Sequence, residues 1–432
     1  MNPGDKIKVK TKDEEITGIV MPSSEDKKDF LIIKLDSGYN IGIEKKKIIE
    51  TKVIEKIQKT MPDKKQKLYH NPELKTITIL HTGGTIASKV DYKTGGVISR
   101  FTPEEILEMF PELAKIANIK SRLISNMWSD DMRFAHYNII AKEIEKEIHE
   151  GTDGIIITHG TDTLHYTSAA LSFMLENLHV PIILVGAQRS SDRGSSDAGV
   201  NLICAARFIE KTDFAGVAIC MHENAEDKDC VILPGLKTRK MHSSRRDAFK
   251  AINSSAIAKI NYDFGDVEFL QKDYAKAEKH KKTKVLPIKE DIKVGLLKIH
   301  TSMHAQEFLA YNGFEGLIIE GTGLGHMPIT QIDEVTKEHG KIFSTIKELV
   351  HSGTIVTVAP QTIYGRINLN VYAPGRELQN IGVLGNMLDM HPETAFIKLA
   401  WLLSNYPKEE VKELYGKNLK GEITERTEAE EF

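Results

Sequence analysis

The chain has 432 residues, of which 41% are hydrophobic and 28% charged, an ordinary globular composition with length for two or three domains. Its net charge of −3 gives no support for a protein that binds nucleic acid mainly through its own basic surface. No apolar run reaches the ~18 residues of a membrane span, and the charged N-terminus lacks the apolar core of a signal peptide. We therefore expect a cytoplasmic protein with no membrane partner.

The first fifty residues contain four or five short stretches with alternating or β-branched apolar residues, a pattern typical of strands. Turn-forming segments such as PSSEDKKD separate them. We predict a small all-β barrel over residues 1–50, too short for a catalytic core. A basic linker over residues 51–74 follows, because residues 45–67 hold nine lysines against three acidic residues. These lysines could also contact RNA phosphates.

From residue 75 onwards, apolar strand-like runs alternate with helical patterns, as in GIIIT followed by TLHYTSAALSFMLENL. This alternation predicts crossover units and a parallel sheet. We assign residues 75–265 to an α/β domain with the active site, 266–290 to a connection and 291–415 to a second α/β domain. The remaining residues, 416–432, form an acidic tail, and we expect its last segment, GEITERTEAEEF, to be loosely ordered.

The turn HTGGT follows the apolar strand TITIL. Gly83 and Gly84 allow the backbone to approach a ligand closely, and Thr85 comes next. A phosphate-binding loop is disfavoured because the pattern GxxxxGK[ST], with its lysine, is absent. The patterns GxGxxG, HExxH and GxSxG are absent too. The turn is therefore either an ordinary connection or a device that presents Thr85 as a nucleophile.

A second polar turn, HGTDT, follows the strand GIIIT and begins a helix. Thr161 and Asp162 could simply cap that helix. A threonine nucleophile, however, needs a base or a proton relay. Asp162 and a lysine could form one, and Lys240 is a candidate because it follows another apolar run. Lys240 could equally be one more surface charge of its basic segment.

The segments TGGTIAS and ITHGTDT together resemble the two signature motifs of the bacterial-type L-asparaginase family. NMWSDDM, KMHSSRRDAF, GTGLGHMP and PETAFIKLAWLL resemble further segments of that family, so the likeness covers about residues 75–410. The resemblance implies a two-domain asparaginase-like α/β fold with a parallel sheet, here preceded by the small barrel.

The same resemblance implies roles for individual residues. Thr85 would attack the amide carbon, and Thr161, Asp162 and Lys240 would form a second cluster that activates a hydroxyl or water. Substrate binding would involve three further residues of the matching segments, namely Gly84, Tyr92 and Ser129. The surroundings of Tyr92, SKVDYKTGG, depart from the common pattern of the family.

The barrel, the linker and the asparaginase-like body together resemble the D-subunit family of archaeal glutamyl-tRNA(Gln) amidotransferases. That resemblance implies a glutaminase that passes ammonia to the E subunit of the amidotransferase, which would use ATP and Mg and bind the tRNA. No cofactor is implied for this chain itself, and a homodimer within a heterotetramer is implied. Two alternatives stay open: a stand-alone cytoplasmic L-asparaginase, and a non-catalytic sensor of an amide ligand.

Overall fold

The computed structural model describes most of the chain with side chains, in two α/β units and an N-terminal β-module. The described residues are 2–22, 29–37, 39–56, 70–84, 86, 102–190, 195–277 and 281–426, together with the backbone of 88–90 and 97–99.

The strands in chain order are β1 (Lys6–Lys10), β2 (Glu15–Met21), β3 (Phe30–Lys34), β4 (Asn40–Glu44), β5 (Glu50–Glu55), β6 (Thr76–Gly83), β7 (Ser88–Val90), β8 (Val97–Ser99), β9 (Asn118–Met127), β10 (Gly154–Thr158), β11 (Leu175–Glu176), β12 (Pro181–Val185), β13 (Gly216–His222), β14 (Asp229–Pro234), β15 (Thr238–Lys240), β16 (Phe249–Ala251), β17 (Ala258–Asn261), β18 (Val267–Phe269), β19 (Lys284–Val285), β20 (Val294–Lys298), β21 (Gly316–Gly321) and β22 (Ile355–Pro360). The helices are α1 (Pro103–Met109), α2 (Leu113–Ile116), α3 (Phe134–His149), α4 (Leu164–Met174), α5 (Ala198–Lys211), α6 (Ala305–Leu309), α7 (Lys337–His351), α8 (Ala373–Asn380), α9 (Pro392–Asn405) and α10 (Lys408–Tyr415).

Strands β1 to β5 form one antiparallel sheet in the order β4-β3-β2-β1-β5. Alternate residues such as Ile7, Val9 and Ile33 are buried in a small core of their own, as the alternating sequence pattern predicts. The module is longer than predicted, because β5 lies in the expected linker yet pairs with β1. The rest of the basic linker, residues 57–69, lies outside the described residues.

The central sheet has eight strands in the order β18-β17-β14-β13-β12-β10-β6-β9. Strands β13, β12, β10, β6 and β9 are parallel, as predicted, whereas β14, β17 and β18 extend the sheet in antiparallel fashion. Every residue of GIIIT in β10 and of PIILV in β12 is buried. Such continuous apolar strands are typical of a parallel sheet that helices cover on both faces.

Two hydrophobic cores lie on opposite faces of this sheet. Ile155 and Ile157 of β10 belong to the core that contains α3, α4 and α9, while Ile156 belongs to the core that contains α1, α2 and α5. The alternation follows from the two-residue period of a strand. Because α9 also packs against the parallel C-terminal sheet β20-β21-β22, the two α/β units share the first core.

The predicted connection over residues 266–290 is more structured than expected. It contains β18, which extends the central sheet, and β19, which pairs with β11. Within the described part of the chain, no helix is both long and apolar enough to cross a membrane.

The expectation of a loosely ordered tail is wrong for residues 421–426. Glu422 is fully buried and forms an ion pair with the equally buried Lys398 of α9 at 2.5 Å. Two residues further on, Thr424 donates its hydroxyl proton to the Asp389 carboxylate. The acidic composition suggested solvated charges, but the Glu422 carboxylate is buried and pairs with the Lys398 ammonium.

We expect Glu422→Ala to lower the free energy of unfolding by about 3–5 kcal/mol, because it leaves the buried Lys398 ammonium without its counter-charge. Urea unfolding followed by circular dichroism measures the change. The double substitution Lys398→Met with Glu422→Leu removes both charges and should recover most of the loss.

Glu334→Ala is the matched control, since Glu334 pairs with Lys337 in an exposed ion pair. It should change the free energy of unfolding by less than about 1 kcal/mol. Equal losses from Glu422→Ala and Glu334→Ala would contradict the importance of the buried pair.

Candidate active site

Three turns that carry predicted site residues lie side by side at one edge of the central sheet. Strands β9, β6 and β10 are parallel neighbours, so their carboxyl ends meet at that edge. Gly84 follows β6, Ser129 follows β9 and Thr161 follows β10. The strand order also reverses at β6, since the chain adds β9 on one side of it and β10 on the other. Ligands of open α/β sheets bind at such a reversal.

Glycine makes the close approach of these turns possible. Gly83 and Gly84 have φ angles of +119° and +83°, a region that side chains rarely adopt. A β-carbon on Gly84 would lie 2.7 Å from the backbone nitrogen of Gly160, and one on Gly160 would lie 2.8 Å from Cβ of Ser129. Adding a side chain at either position would therefore force these turns apart.

His81 braces the turns from within the sheet. Its Nδ1 lies 2.7 Å from Oγ1 of Thr158 in β10, and its Nε2 lies 2.9 Å from Oγ of Ser121 in β9. Burial lowers the pKa of His81 to about 3, so the ring is neutral at pH 7. The three strands that lead to the candidate site are thus cross-linked by one uncharged side chain.

His159 fixes the turn after β10. Its Nδ1 donates to the carbonyl of Gly160 at 2.7 Å, and its Nε2 accepts from Oγ1 of Thr167 in α4 at 2.8 Å. Burial lowers the pKa of His159 to about 4, although the bond to Gly160 acts in the opposite direction. A neutral ring with one donor and one acceptor satisfies both contacts.

Lys240, Thr161 and Asp162 lie in direct contact. The Lys240 ammonium donates to Oγ1 of Thr161 at 2.8 Å and to Oδ1 of Asp162 at 2.8 Å. Only 10% of the Lys240 side chain is exposed, against 69% for Asp162, so the cation is sheltered while the carboxylate faces solvent. The structure therefore does not support the alternative that Lys240 is one more surface charge of its basic segment.

The position of Lys240 follows from a hairpin. It is the last residue of β15, which pairs with β16 so that Lys240 lies opposite Phe249. Phe249 is fully buried, and this anchors the hairpin to the core. The lysine is thereby carried from a distant part of the sequence to the turn HGTDT.

Ser129 lies in a single turn of 3₁₀ helix, Ser129–Asp131, and is almost completely buried against Gly160. Its backbone carbonyl accepts a hydrogen bond from Oγ1 of Thr163 at 2.5 Å. The turn after β9 is thus fastened to the residue that follows Asp162, which explains how a segment about 30 residues upstream reaches the same site.

The structure brings together five of the seven predicted site residues: Gly84, Ser129, Thr161 and Asp162 on neighbouring turns, and Lys240 on the β15–β16 hairpin. Thr85 and Tyr92 lie outside the described residues, so their predicted roles remain predictions. Sequence reasoning missed His81, His159 and Thr163. All three lie in or beside the two motifs, so the signal was position in the motif rather than residue type.

The described geometry provides a sheltered cation, a carboxylate, a hydroxyl and close-packed glycine turns in one place. Backbone N–H groups of such turns can stabilise a developing oxyanion, and the Lys240–Asp162 pair can move a proton to or from a hydroxyl or water. Among the described residues, no group of three or more His, Cys, Asp or Glu side chains is arranged to hold a metal ion.

Three family descriptions match consecutive parts of the chain. "GatD N-terminal domain" matches residues 1–54, "Asparaginase, N-terminal" matches residues 76–274, and "Glutaminase/Asparaginase C-terminal domain" matches residues 293–415. The first corresponds to the five-stranded module, the second contains the candidate site, and the third contains the sheet β20-β21-β22 with α9 and α10.

Two D subunits of glutamyl-tRNA(Gln) amidotransferases are similar to this chain over nearly their whole lengths. The one from Pyrococcus furiosus is 47% identical over 97% of this chain and 93% of that protein. The one from Methanococcus maripaludis is 44% identical over 98% of this chain and 99% of that protein.

Solved asparaginases share the fold of the body. The thermostable L-asparaginase from Thermococcus kodakarensis has a TM-score of 0.69 and 28% identity, covering 81% of this chain and 100% of that one. L-asparaginase I from Vibrio cholerae has a TM-score of 0.68 and 27% identity, covering 81% and 99%. The chain therefore belongs to the family of glutamyl-tRNA(Gln) amidotransferase D subunits, in which an asparaginase-like body follows a small N-terminal β-module.

Proposed function

We propose that this chain is the glutaminase subunit of a tRNA-dependent amidotransferase. It hydrolyses L-glutamine and supplies ammonia to a partner protein that converts Glu-tRNA(Gln) to Gln-tRNA(Gln). The observation that carries the proposal is the contact of Lys240 with both Thr161 and Asp162, beside the turn that precedes Thr85. A family name alone would be compatible with an inactive relative, whereas this cluster is intact.

In the proposed first step, the Thr85 hydroxyl attacks the side-chain amide carbon of glutamine. Ammonia leaves, and a γ-glutamyl ester on Thr85 remains. Backbone N–H groups of the glycine turn stabilise the oxyanion, and one such donor contributes roughly 3 kcal/mol. Gly84 suits this role because only a residue without a side chain can pack against Gly160 as it does.

In the second step, water hydrolyses the ester and releases glutamate. That water is activated by Thr161, Asp162 and Lys240, because the Lys240 ammonium hydrogen-bonds both the Thr161 hydroxyl and the Asp162 carboxylate. Ser129 and Tyr92 contact the substrate in this proposal. Ser129 is supported by its packing against Gly160, whereas Tyr92 rests on the sequence resemblance alone.

A complex with a partner protein follows from the family. We further propose that this partner is the E subunit of the amidotransferase, that it uses ATP and Mg, and that tRNA binds mainly through it. The acidic balance of this chain, −3, favours such a division of labour. A homodimer of this chain within a heterotetramer is the proposed assembly. The chain itself would need no cofactor for amide hydrolysis by a threonine nucleophile.

Thr85→Ala should abolish ammonia release from glutamine in the complex, because no hydroxyl remains to form the ester. Asp162→Asn should slow the second step at least about 100-fold, since a general base typically contributes that much. The γ-glutamyl ester should then accumulate on the protein, where intact-protein mass spectrometry detects it after mixing with glutamine.

Asp333→Asn is a matched control, because the Asp333 carboxylate hydrogen-bonds Thr336 just before α7 and belongs to no part of the site. It should leave ammonia release unchanged. Near-normal glutaminase activity in either Thr85→Ala or Asp162→Asn would refute the site assignment.

Ammonia release from glutamine should increase when the partner protein and Glu-tRNA(Gln) are both present, and Gln-tRNA(Gln) should form in the same reaction. Coupled assays on glutamine and asparagine, with and without the partner and tRNA, measure this. A stand-alone L-asparaginase would instead hydrolyse asparagine at its full rate without either addition, and a sensor would release no ammonia at all.

A further inference from the structure

The strand that carries Lys240 is tied to the C-terminal α/β unit just before that residue. Lys237 forms a buried ion pair with Asp389 at 2.7 Å, and the carbonyl of Leu236 accepts from Oγ1 of Thr394 at 2.8 Å. Both partners lie at the start of α9 or shortly before it. The segment before Lys240 is therefore held by residues that are about 150 positions away in the sequence.

A third contact between the β15 segment and the C-terminal α/β unit involves Arg239, the residue next to Lys240. A guanidinium nitrogen of Arg239 lies 3.0 Å from Oε1 of Glu393, the second residue of α9. Successive side chains of a strand point to opposite sides, so Arg239 and Lys240 leave β15 in opposite directions. The Lys240 side chain contacts the turn HGTDT, and the neighbouring Arg239 side chain forms an ion pair with α9.

Glu393 is well suited to hold a cation in a fixed place. Its side chain is 10% exposed, and its other oxygen lies 2.9 Å from Nδ1 of His391. Burial alone would raise the pKa of Glu393, but the imidazole of His391, the nearby imidazole of His165 and the charge of Arg239 outweigh it, so the pKa lies well below its usual range. The N-terminus of α9 favours the negative charge as well.

We propose that Glu393 is a positioning residue for the Lys240–Thr161–Asp162 cluster and acts through Arg239. With Arg239 held by Glu393, β15 cannot rotate or slide, and the Lys240 ammonium stays within hydrogen-bond distance of both partners. The C-terminal unit would thus set the geometry of a cluster to which it contributes no atom. This inference rests on the proposed glutaminase function.

The test is a double-mutant cycle on the complete complex with tRNA, using Glu393→Gln, Arg239→Gln and both together. Glu393→Gln keeps the shape but removes the charge. It should lower kcat about 10- to 100-fold, because a misplacement of ~1 Å in a catalytic group can cost about 100-fold. KM for glutamine should change little, since Glu393 does not belong to the substrate site. The double variant should be no slower than Arg239→Gln alone, because the two residues act in series.

Arg245→Gln is the matched control. It breaks the ion pair of Arg245 with Asp247 in the turn of the same hairpin, away from α9. We expect kcat to stay unchanged. If Glu393→Gln does not fold, as judged by circular dichroism, Arg239→Gln probes the same contact from its more exposed side and must itself lower kcat.

Three results would overturn the inference. These are an unchanged kcat in both single variants, a rise in KM without a fall in kcat, or the same fold-decrease in kcat from Glu393→Gln whether residue 239 is arginine or glutamine. The wild-type complex separates this failure from a failure of the proposed function. If the wild type releases no ammonia from glutamine, the function is wrong. If the wild type is active and Asp162→Asn is not, but Glu393→Gln is normal, only the positioning role is wrong.

Discussion

The candidate site depends on one steric constraint, the backbone contact between Gly84 and Gly160. The turns after β6 and β10 carry the two halves of the proposed chemistry, and they can approach this closely only because neither residue has a side chain. Gly160 in turn packs on Ser129, so the turn after β9 is placed by the same contact. A parallel sheet brings the strand ends together, but glycine decides how near their turns can come.

The contact between Gly84 and Gly160 needs side chains that hold the turns in place without bringing a charge to the site. His81 and His159 do this as neutral rings, each with one hydrogen bond on either nitrogen. Burial keeps the pKa of both far below 7, so neither ring places a positive charge beside the cluster. The cation at the site is then supplied by Lys240 alone among the described residues named in the mechanism. The neutral rings of His81 and His159 therefore add no second positive charge to that of the Lys240 ammonium.

Much of this arrangement could be predicted from the sequence, because it depends on local patterns. Strand ends followed by glycine or by threonine and aspartate pointed to Gly84, Thr161 and Asp162, the apolar run before Lys240 made that residue a candidate, and the family resemblance added Ser129. The contacts of Arg239 with Glu393 and of Lys398 with Glu422 could not be predicted. They join residues that are far apart in the sequence, and only tertiary packing decides that these charges are paired and that three of them, Glu393, Lys398 and Glu422, are buried. The extra strand β5 was missed for a related reason, since its charged sequence hides a pairing with β1.

The Lys240–Asp162 pair contributes little to stability by itself, since an ion pair with one partner 69% exposed is screened by solvent and typically worth at most about 1 kcal/mol. So weak a contact cannot hold its own geometry against the flexibility of a lysine side chain. The geometry must come from the elements on either side: the glycine turns that fix Thr161 and Asp162, and the β15–β16 hairpin with its links to α9 that fixes Lys240. The buried Lys237–Asp389 pair and the contact of the partly exposed Arg239 with the buried Glu393 are therefore the stronger determinants of where the proposed relay lies.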